Sequence, residues 1–253
     1  MNLNNMLLAT FSSPLPFTAL LNRMLGGPVT QLLGMVGIHP HDPGAPIPNY
    51  IAMQILVALL LVCFFLIARS GLSVENPGKV QHLAEFIHGF FKDMAQQLIG
   101  HGYEPFLPFL ITLGLFILTC NLLGLVPSLE SPTANPSVPL GCAVMSFGYY
   151  NFQGIRHHGF SYINQFLGPV LLLSPLVVLI EIISHLARML SLTVRLYANI
   201  FAGDMLTLAF FSLVPIGFPV VFQGLHLAVS LIQTYIFVLL STVYLSQAME
   251  EAH

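Results

Sequence analysis

Five polar side chains with acid–base or hydrogen-bonding chemistry recur at helical spacing inside an otherwise apolar run. At about 100° per residue, they fall within about 80° of one another on a helical wheel. An arginine keeps its proton in a protein, and a charge at membrane depth costs a few kcal/mol or more. A chain that keeps such a charge is expected to use it. The set is Glu181, His185, Arg188, Arg195 and Asn199, and we call it the first polar face.

A carboxylate and a second polar face follow. Asp204 lies nine residues after Arg195, which is about 180° around the helix and about 13 Å along its axis. The two side chains are therefore not expected to form a simple ion pair. A second polar face within about 80° on the last apolar segment offers Asp204 a partner, and a His and an Asp on facing membrane helices are typical of a proton relay. This second polar face comprises His226, Ser230, Gln233, Phe237, Ser241 and Tyr244.

Each of these features has a plainer interpretation. The first polar face, which Ser191 flanks, is also compatible with a polar contact that only holds helices together. His226 taken alone is more typical of a hydrogen-bonded packing residue. The other histidines lie in loops or on an amphipathic segment without the spacing of a metal site. We therefore expect neither a metal ion nor a cofactor.

The composition is that of an integral membrane protein. Hydrophobic residues make up 56% and charged residues 7% of the 253 residues, against about 25% charged in a soluble domain. Seven scattered Lys and Arg residues argue against nucleic-acid binding. The sequence has no phosphate-binding glycine loop and no nucleophile elbow, so we expect no nucleotide site and no catalysis by the chain alone. Three cysteines in apolar runs are expected to be small buried hydrophobes.

The apolar segments predict an all-α membrane fold with about five transmembrane helices and one interfacial helix. Residues 1–48 are predicted to be an N-terminal extramembrane segment and 49–253 the membrane domain. A span needs about 20 residues, and a segment of about 50 residues would measure about 75 Å, so the last two helices must be long and tilted or bent. The predicted helices are about 49–68, 80–101 (interfacial), 106–126, 138–152, 163–214 and 218–247.

Charges and amphipathicity orient these helices. The apolar positions of 80–101 recur at i, i+3, i+4 and i+7, which is typical of a helix in the membrane interface; a soluble-type helix packed on a partner is the alternative. With five spans, Arg69, Lys79, Lys92 and Arg156 fall on one side, which the positive-inside rule makes cytoplasmic. Tyrosines such as Tyr150 are candidate interface anchors.

The motifs around these residues resemble subunit a of the F-type ATP synthases. The run Ser191-Leu-Thr-Val-Arg195-Leu-Tyr-Ala-Asn199-Ile-Phe-Ala-Gly203-Asp204 is similar to the family's core motif. The pair His226 and Gln233 fits its last helix, and Asn121-Leu-Leu-Gly-Leu-Val-Pro127 resembles an earlier signature. The resemblance extends from about Pro77 to the C-terminus. Relatives carry Glu where this chain has Asp204.

The resemblance implies a function and a set of roles. The chain would be the proton-translocating stator subunit, with two offset half-channels to the rotor ring of c subunits, beside subunit b of the peripheral stalk and membrane lipid. Arg195 would face the ring carboxylate and block a direct leak, with Asn199 and Gln233 lining that contact. Asp204 and His226 would belong to the outer half-channel. The residues that would lie toward the cytoplasmic exit are Glu181, His185 and Arg188. The implied location is the plasma membrane of a bacterium or an organelle membrane.

Two rival functions remain open at this level. A self-contained secondary transporter is the first, although that class often shows internal repeats with paired broken helices, and no such repeat is evident. A membrane scaffold without transport is the second, and it has no use for two ionisable faces. Proton and sodium are both compatible with the sequence as the coupling ion.

Overall fold

Seven α-helices and two short 3-10 turns make up the computed structural model, which describes residues 15–35, 45–73, 77–126, 129–159, 174–213 and 218–249. The 3-10 turns are Glu104–Phe106 and Pro132–Ala134. The helices are α1 (Pro16–Met35), α2 (Asn49–Ser70), α3 (Lys79–Ile99), α4 (Leu107–Leu123), α5 (Ser137–His158), α6 (Ser174–Leu213) and α7 (Phe218–Met249).

The all-α membrane fold is confirmed. Four stretches of the described helices are long and apolar enough to span a membrane: Asn49–Ser70, Glu104–Leu123, Leu176–Thr207 and Val220–Met249. The weaker span predicted at 138–152 forms the longer helix α5, whose composition does not place it among these four. The interfacial segment forms α3, which is likewise not among them.

Helix α6 lies within the predicted long segment. The segment predicted at 163–214 is helical from Ser174 to Leu213, and residues 163–173 lie outside the described part of the structure. At 1.5 Å per residue, the 40 residues of α6 measure about 60 Å, twice the hydrocarbon thickness of about 30 Å.

Helix α1 was not predicted. It packs on α2 through Leu21, Ile47 and Ala52. The side chain of Asn22 donates a hydrogen bond to the carbonyl of Ile47 and accepts one from its backbone N–H.

The main core joins four helices. Ile117 of α4, Ala143 of α5, Leu196 of α6 and Phe237 of α7 belong to one buried cluster. Leu196 and Phe237 are 0% exposed. Complete burial of such side chains fixes how each helix is rotated about its own axis, because interiors are packed to crystal-like density. The polar residues on α6 and α7 are therefore held in one orientation.

Helix α3 lies against α4 and α7 along its C-terminal half. Phe91, Met94 and Ala95 are buried there with Leu110 and Val238. The N-terminal apolar residues of the same helix remain outward, and Phe86 is 72% exposed. At the end of α3 the chain turns through Gly100 and Gly102, which have φ of 78° and 84°, a conformation that favours glycine.

Two sequence expectations are corrected by burial. Cys120 and Cys142 are buried, but Cys63 is exposed, because none of the described helices covers it on α2. Tyr150 is not an interface anchor: it is 4% exposed and packs with Phe106 and Leu245 in the core.

Gly114 provides a test of the junction between α3, α4 and α7. A Cβ atom at this position would lie 2.4 Å from Cζ of Phe91 and 3.2 Å from Val238. Gly114→Ala should therefore destabilise the protein by about 1–3 kcal/mol through overpacking. Gly141→Ala on α5 is the control, since a Cβ there meets nothing within 4 Å. Thermal denaturation in detergent measures both, and equal stability of the two variants would contradict the packing described.

Candidate functional site

The first and second polar faces meet where α6 packs on α7. Asn199 Nδ2 donates a hydrogen bond of 2.7 Å to Oε1 of Gln233. Gln233 is only 2% exposed, whereas Asn199 lies at the surface. This bond therefore connects a buried amide of α7 to the outer surface of α6, one helical turn beyond Arg195.

Arg195 lies at the edge of that surface without a counter-ion. Its guanidinium is partly buried and donates to Oγ of Ser191 at 3.4 Å. Within the ranges that the structure describes, it forms no ion pair. Elsewhere on the outer side of α6 the surface is apolar, with Val194 58% and Leu190 54% exposed. A permanent cation in such surroundings requires water or an anion from another molecule.

Asp204 and His226 lie side by side, one on each helix. Oδ1 of Asp204 is 3.6 Å from Nδ1 of His226. The imidazole lies over the backbone of Gly203, where an added Cβ would come within 3.2 Å of the ring. Glycine at this position allows the close approach that brings the two titratable groups together.

Buried polar atoms without a partner line the same face of α7. Among the described residues, His226 Nε2, Ser230 Oγ and Gln233 Nε2 are buried and make no hydrogen bond. They follow one another at helical spacing from Asp204 toward Asn199. Unpaired buried polar atoms are costly and rare, and ordered water is their usual partner.

A polar junction that the sequence did not predict supports this face from behind. Asn121 of α4 is 0% exposed and donates to Oγ1 of Thr234 at 3.3 Å. Its Oδ1 accepts a bond of 2.6 Å from Thr133, and Ser131 lies 2.7 Å from Thr133. The Asn121 motif was recognised in the sequence, but its partners come from two other segments, about 10 and 110 residues away.

A separate polar cluster lies at the other end of α6. Nδ1 of His185, which is 9% exposed, is 2.9 Å from the hydroxyl of Tyr150. Arg188 donates to Oε1 of Gln247 at 3.0 Å, and its guanidinium carbon lies 5.0 Å from the centre of the Tyr244 ring. Tyr150 and Gln247 are partners that sequence reasoning missed, because neither stands in a polar pattern of its own.

Two further acidic residues, Glu181 and Glu130, lie in different parts of the chain. Glu181 lies within α6, but its side chain is outside the described part of the structure. Glu130, which precedes the turn Pro132–Ala134, interacts electrostatically with Asp204. Burial raises the pKa of the Glu130 carboxyl above its ordinary value, and a hydrogen bond from the Asn49 side chain opposes this effect.

Membrane-length helices that carry titratable residues at their mutual contact define an all-α integral membrane protein with polar groups at membrane depth. The family model described as ATP synthase A chain matches residues 51–246, and the chain belongs to this family. It therefore has the role of an a subunit of an F-type ATP synthase, a membrane component in ATP synthesis and ion transport.

Three relatives illustrate the similarity. The chain is 55% identical over 238 residues to an ATP synthase subunit a of Koribacter versatilis, covering 94% of this chain and 97% of the relative. It is 44% identical to that of Solibacter usitatus, covering 92% and 99%. It is 38% identical to that of Geotalea uraniireducens, covering 85% and 93%.

Gly203 tests whether the contact between Asp204 and His226 matters. Gly203→Val should push the imidazole away from the carboxylate, and a displacement of about 1 Å can cost roughly 100-fold in rate. ATP-driven proton pumping by the assembled complex should therefore fall strongly. Gly224→Val on α7 is the control, because a Cβ there meets nothing within 4 Å. Normal pumping by Gly203→Val would show that the close approach is dispensable.

Proposed function

We propose that this chain is the stator half of a proton path, which presents two offset half-channels to a rotating ring of c subunits and thereby couples proton flow to rotation. Proton entry and exit would be separated by Arg195. The proposal is supported chiefly by one observation: a cation that forms no ion pair with the described residues lies on α6 between two separate clusters, Asp204 with His226 and His185 with Tyr150.

Arg195 supplies the electrostatic element of this proposal. A fixed positive charge repels a proton that tries to pass directly from one cluster to the other. The same charge stabilises a carboxylate that has just lost its proton. A carboxylate carried past Arg195 by a rotor subunit would therefore release its proton on one side and regain one on the other. The rotor carboxylate is thus the proposed counter-ion.

The two clusters are offset along α6. Asp204 lies nine residues after Arg195 and His185 ten residues before it, which corresponds to about 13 and 15 Å along a straight helix. Together they cover about the thickness of the hydrocarbon core, about 30 Å. Neither cluster extends across the whole membrane, so a proton would have to pass from the residues of one cluster to a rotor carboxylate near Arg195 before it reaches the other.

The outer half-channel would contain Asp204 and His226. An imidazole and a carboxylate can each accept and release a proton, and Nδ1 of His226 lies 3.6 Å from Oδ1 of Asp204. Water bound to the unpaired atoms of His226, Ser230 and Gln233 would continue the path toward Asn199. The hydrogen bond from Asn199 to Gln233 then brings this path to the surface beside Arg195.

The inner half-channel would use the cluster around His185. The hydroxyl of Tyr150 holds the imidazole in a defined orientation, and Arg188 is held by Gln247 and Tyr244. Glu181 and Ser191 are proposed members of this side, on the first polar face. Protons would leave here toward the cytoplasm of a bacterial cell, with this chain in its plasma membrane.

The energetics require partner subunits. One charge that crosses the membrane supplies about 2.3 kcal/mol per 100 mV, and a stator can transmit that energy only if the ring turns against it. ATP chemistry would occur on other subunits, and subunit b would anchor this chain against rotation. Exposed apolar residues such as Leu59 and Val62 of α2 leave ample surface for lipid and for such an anchor.

Removal of the Arg195 charge tests the proposal directly. Arg195→Ala should abolish ATP-driven proton pumping in membrane vesicles while the complex still assembles, because no fixed charge then separates the two paths. Arg156→Ala, at the exposed end of α5, is the control and should pump normally. Near-normal pumping by Arg195→Ala would eliminate the proposed role of Arg195 as the charge that separates the two half-channels.

Substitutions of Asp204 and His226, which we call the outer cluster, test their proposed role as a proton relay. Asp204→Asn and His226→Ala should each slow passive proton flux through the membrane sector by about 10-fold or more, since a positioned proton carrier contributes roughly 100-fold. Asp93→Asn on the exposed side of α3 removes a carboxylate elsewhere and should leave the flux unchanged. If neither outer variant changes the flux, the relay assignment is wrong.

A further inference from the structure

Glu130 is a titratable residue near the outer cluster that the mechanism above does not use. It lies outside the helices, between the end of α4 and the turn Pro132–Ala134. Its side chain is half-buried. The chain shortly before it is held against α7 one turn before His226, where Nε2 of Gln223 donates to the carbonyl of Leu125, and the Glu130 carboxyl interacts electrostatically with Asp204. It is therefore a second carboxylate close to the pair formed by Asp204 and His226.

The backbone on both sides of Glu130 is fixed. Leu129 packs against the buried cluster of Val57, Cys120 and Leu123, and Oγ of Ser131 donates to the carbonyl of Cys120 at 3.0 Å. The following turn packs against α2 and α6. A carboxylate between two anchored neighbours has a defined position, which a side chain that transfers protons requires.

Asn49 orients the side chain of Glu130. Its side chain forms a hydrogen bond with the Glu130 carboxyl, and its Oδ1 accepts a bond of 3.4 Å from the backbone of Leu15. With that oxygen engaged, the amide nitrogen of Asn49 is the donor to Glu130. The first residue of α2 thus holds the carboxyl at the edge of the outer cluster.

We propose that Glu130 is an additional proton carrier of the outer half-channel, which takes protons from the outer aqueous side and delivers them to Asp204. This inference rests on the proposed function. The carboxylate of Glu130 would accept a proton from hydronium, which leaves water. The O–H bond on Glu130 would then break as one forms on Asp204, directly or through one water molecule, and Glu130 would return to its anionic form.

Electrostatics favour this direction of transfer. Two carboxylates that repel each other are stabilised when one of them carries a proton. When Asp204 passes its proton toward His226, its negative charge returns and the proton on Glu130 is drawn inward. Among the described residues, Asp204 interacts electrostatically with Glu130, and His226 lies against Asp204. Each proton transfer from Asp204 toward His226 therefore restores the negative charge on Asp204, which attracts the next proton from Glu130.

Glu130→Gln tests this role because it keeps the shape and the bond to Asn49 but carries no exchangeable acid. Passive proton flux through the membrane sector in vesicles should fall by about 10-fold, and the ratio of the rates in H₂O and D₂O should rise as proton entry becomes limiting. Glu130→Asp keeps the carboxylic acid and should retain most of the flux. Glu104→Gln removes a carboxylate before α4, at the opposite end of that helix, and should behave as wild type.

Other results would overturn the inference. Wild-type flux in Glu130→Gln would show that the proton does not need this carboxyl. Equal losses in Glu130→Gln and Glu130→Asp, with an unchanged isotope ratio and normal assembly with the ring, would reveal a purely structural role. Failure of the stator proposal would instead appear in Arg195→Ala, so the two outcomes are distinguishable.

Discussion

A permanent cation at membrane depth without an ion pair in its own described chain is the constraint on which the structure depends. The guanidinium of Arg195 contacts Ser191 within its own helix, and the rest of the outer side of that helix is largely apolar. Such a charge is tolerated only where water or an external anion reaches it. The buried side of α6 therefore carries the packing, through Leu192, Leu196 and Ile200, while its outer side presents the charge. One helix therefore has to pack on its neighbours and present a charge at the same time, and the residues on its packed side are almost completely buried.

Some polar groups within the helix bundle have hydrogen-bond partners in the protein and others do not, and the two sets lie in different places. The junction around Asn121 has a protein partner for its amide nitrogen and for its oxygen, so it holds α4, α7 and the turn 132–134 together. The face of α7 that begins at His226 has unpaired buried atoms. A satisfied network rigidifies a core, whereas an unsatisfied line of polar atoms is suited to water. The first set thus serves as a scaffold for the second.

The fold class, the first polar face and the separation of Asp204 from Arg195 could be predicted because they depend on periodicity along one chain segment. An α-helix fixes the angle between residues, so a wheel locates Glu181 and Asn199 on one face without knowledge of the neighbours. Tyr150, Gln247 and Glu130 escaped prediction, since each acquires its meaning from a partner at least 35 residues away. The helix at Pro16–Met35 was missed because its apolar pattern is interrupted by glycine and proline.

The sequence by itself determined an all-helical membrane protein with a costly arginine and two titratable helix faces, because hydropathy and the period of the α-helix are local properties of a chain. Only the tertiary structure decided which groups meet: Asp204 with His226, Asn199 with Gln233, and His185 with Tyr150. These pairings depend on the rotation and depth of whole helices, which are set by close packing of buried side chains such as Leu196 and Phe237. No pattern within a single helix contains that information.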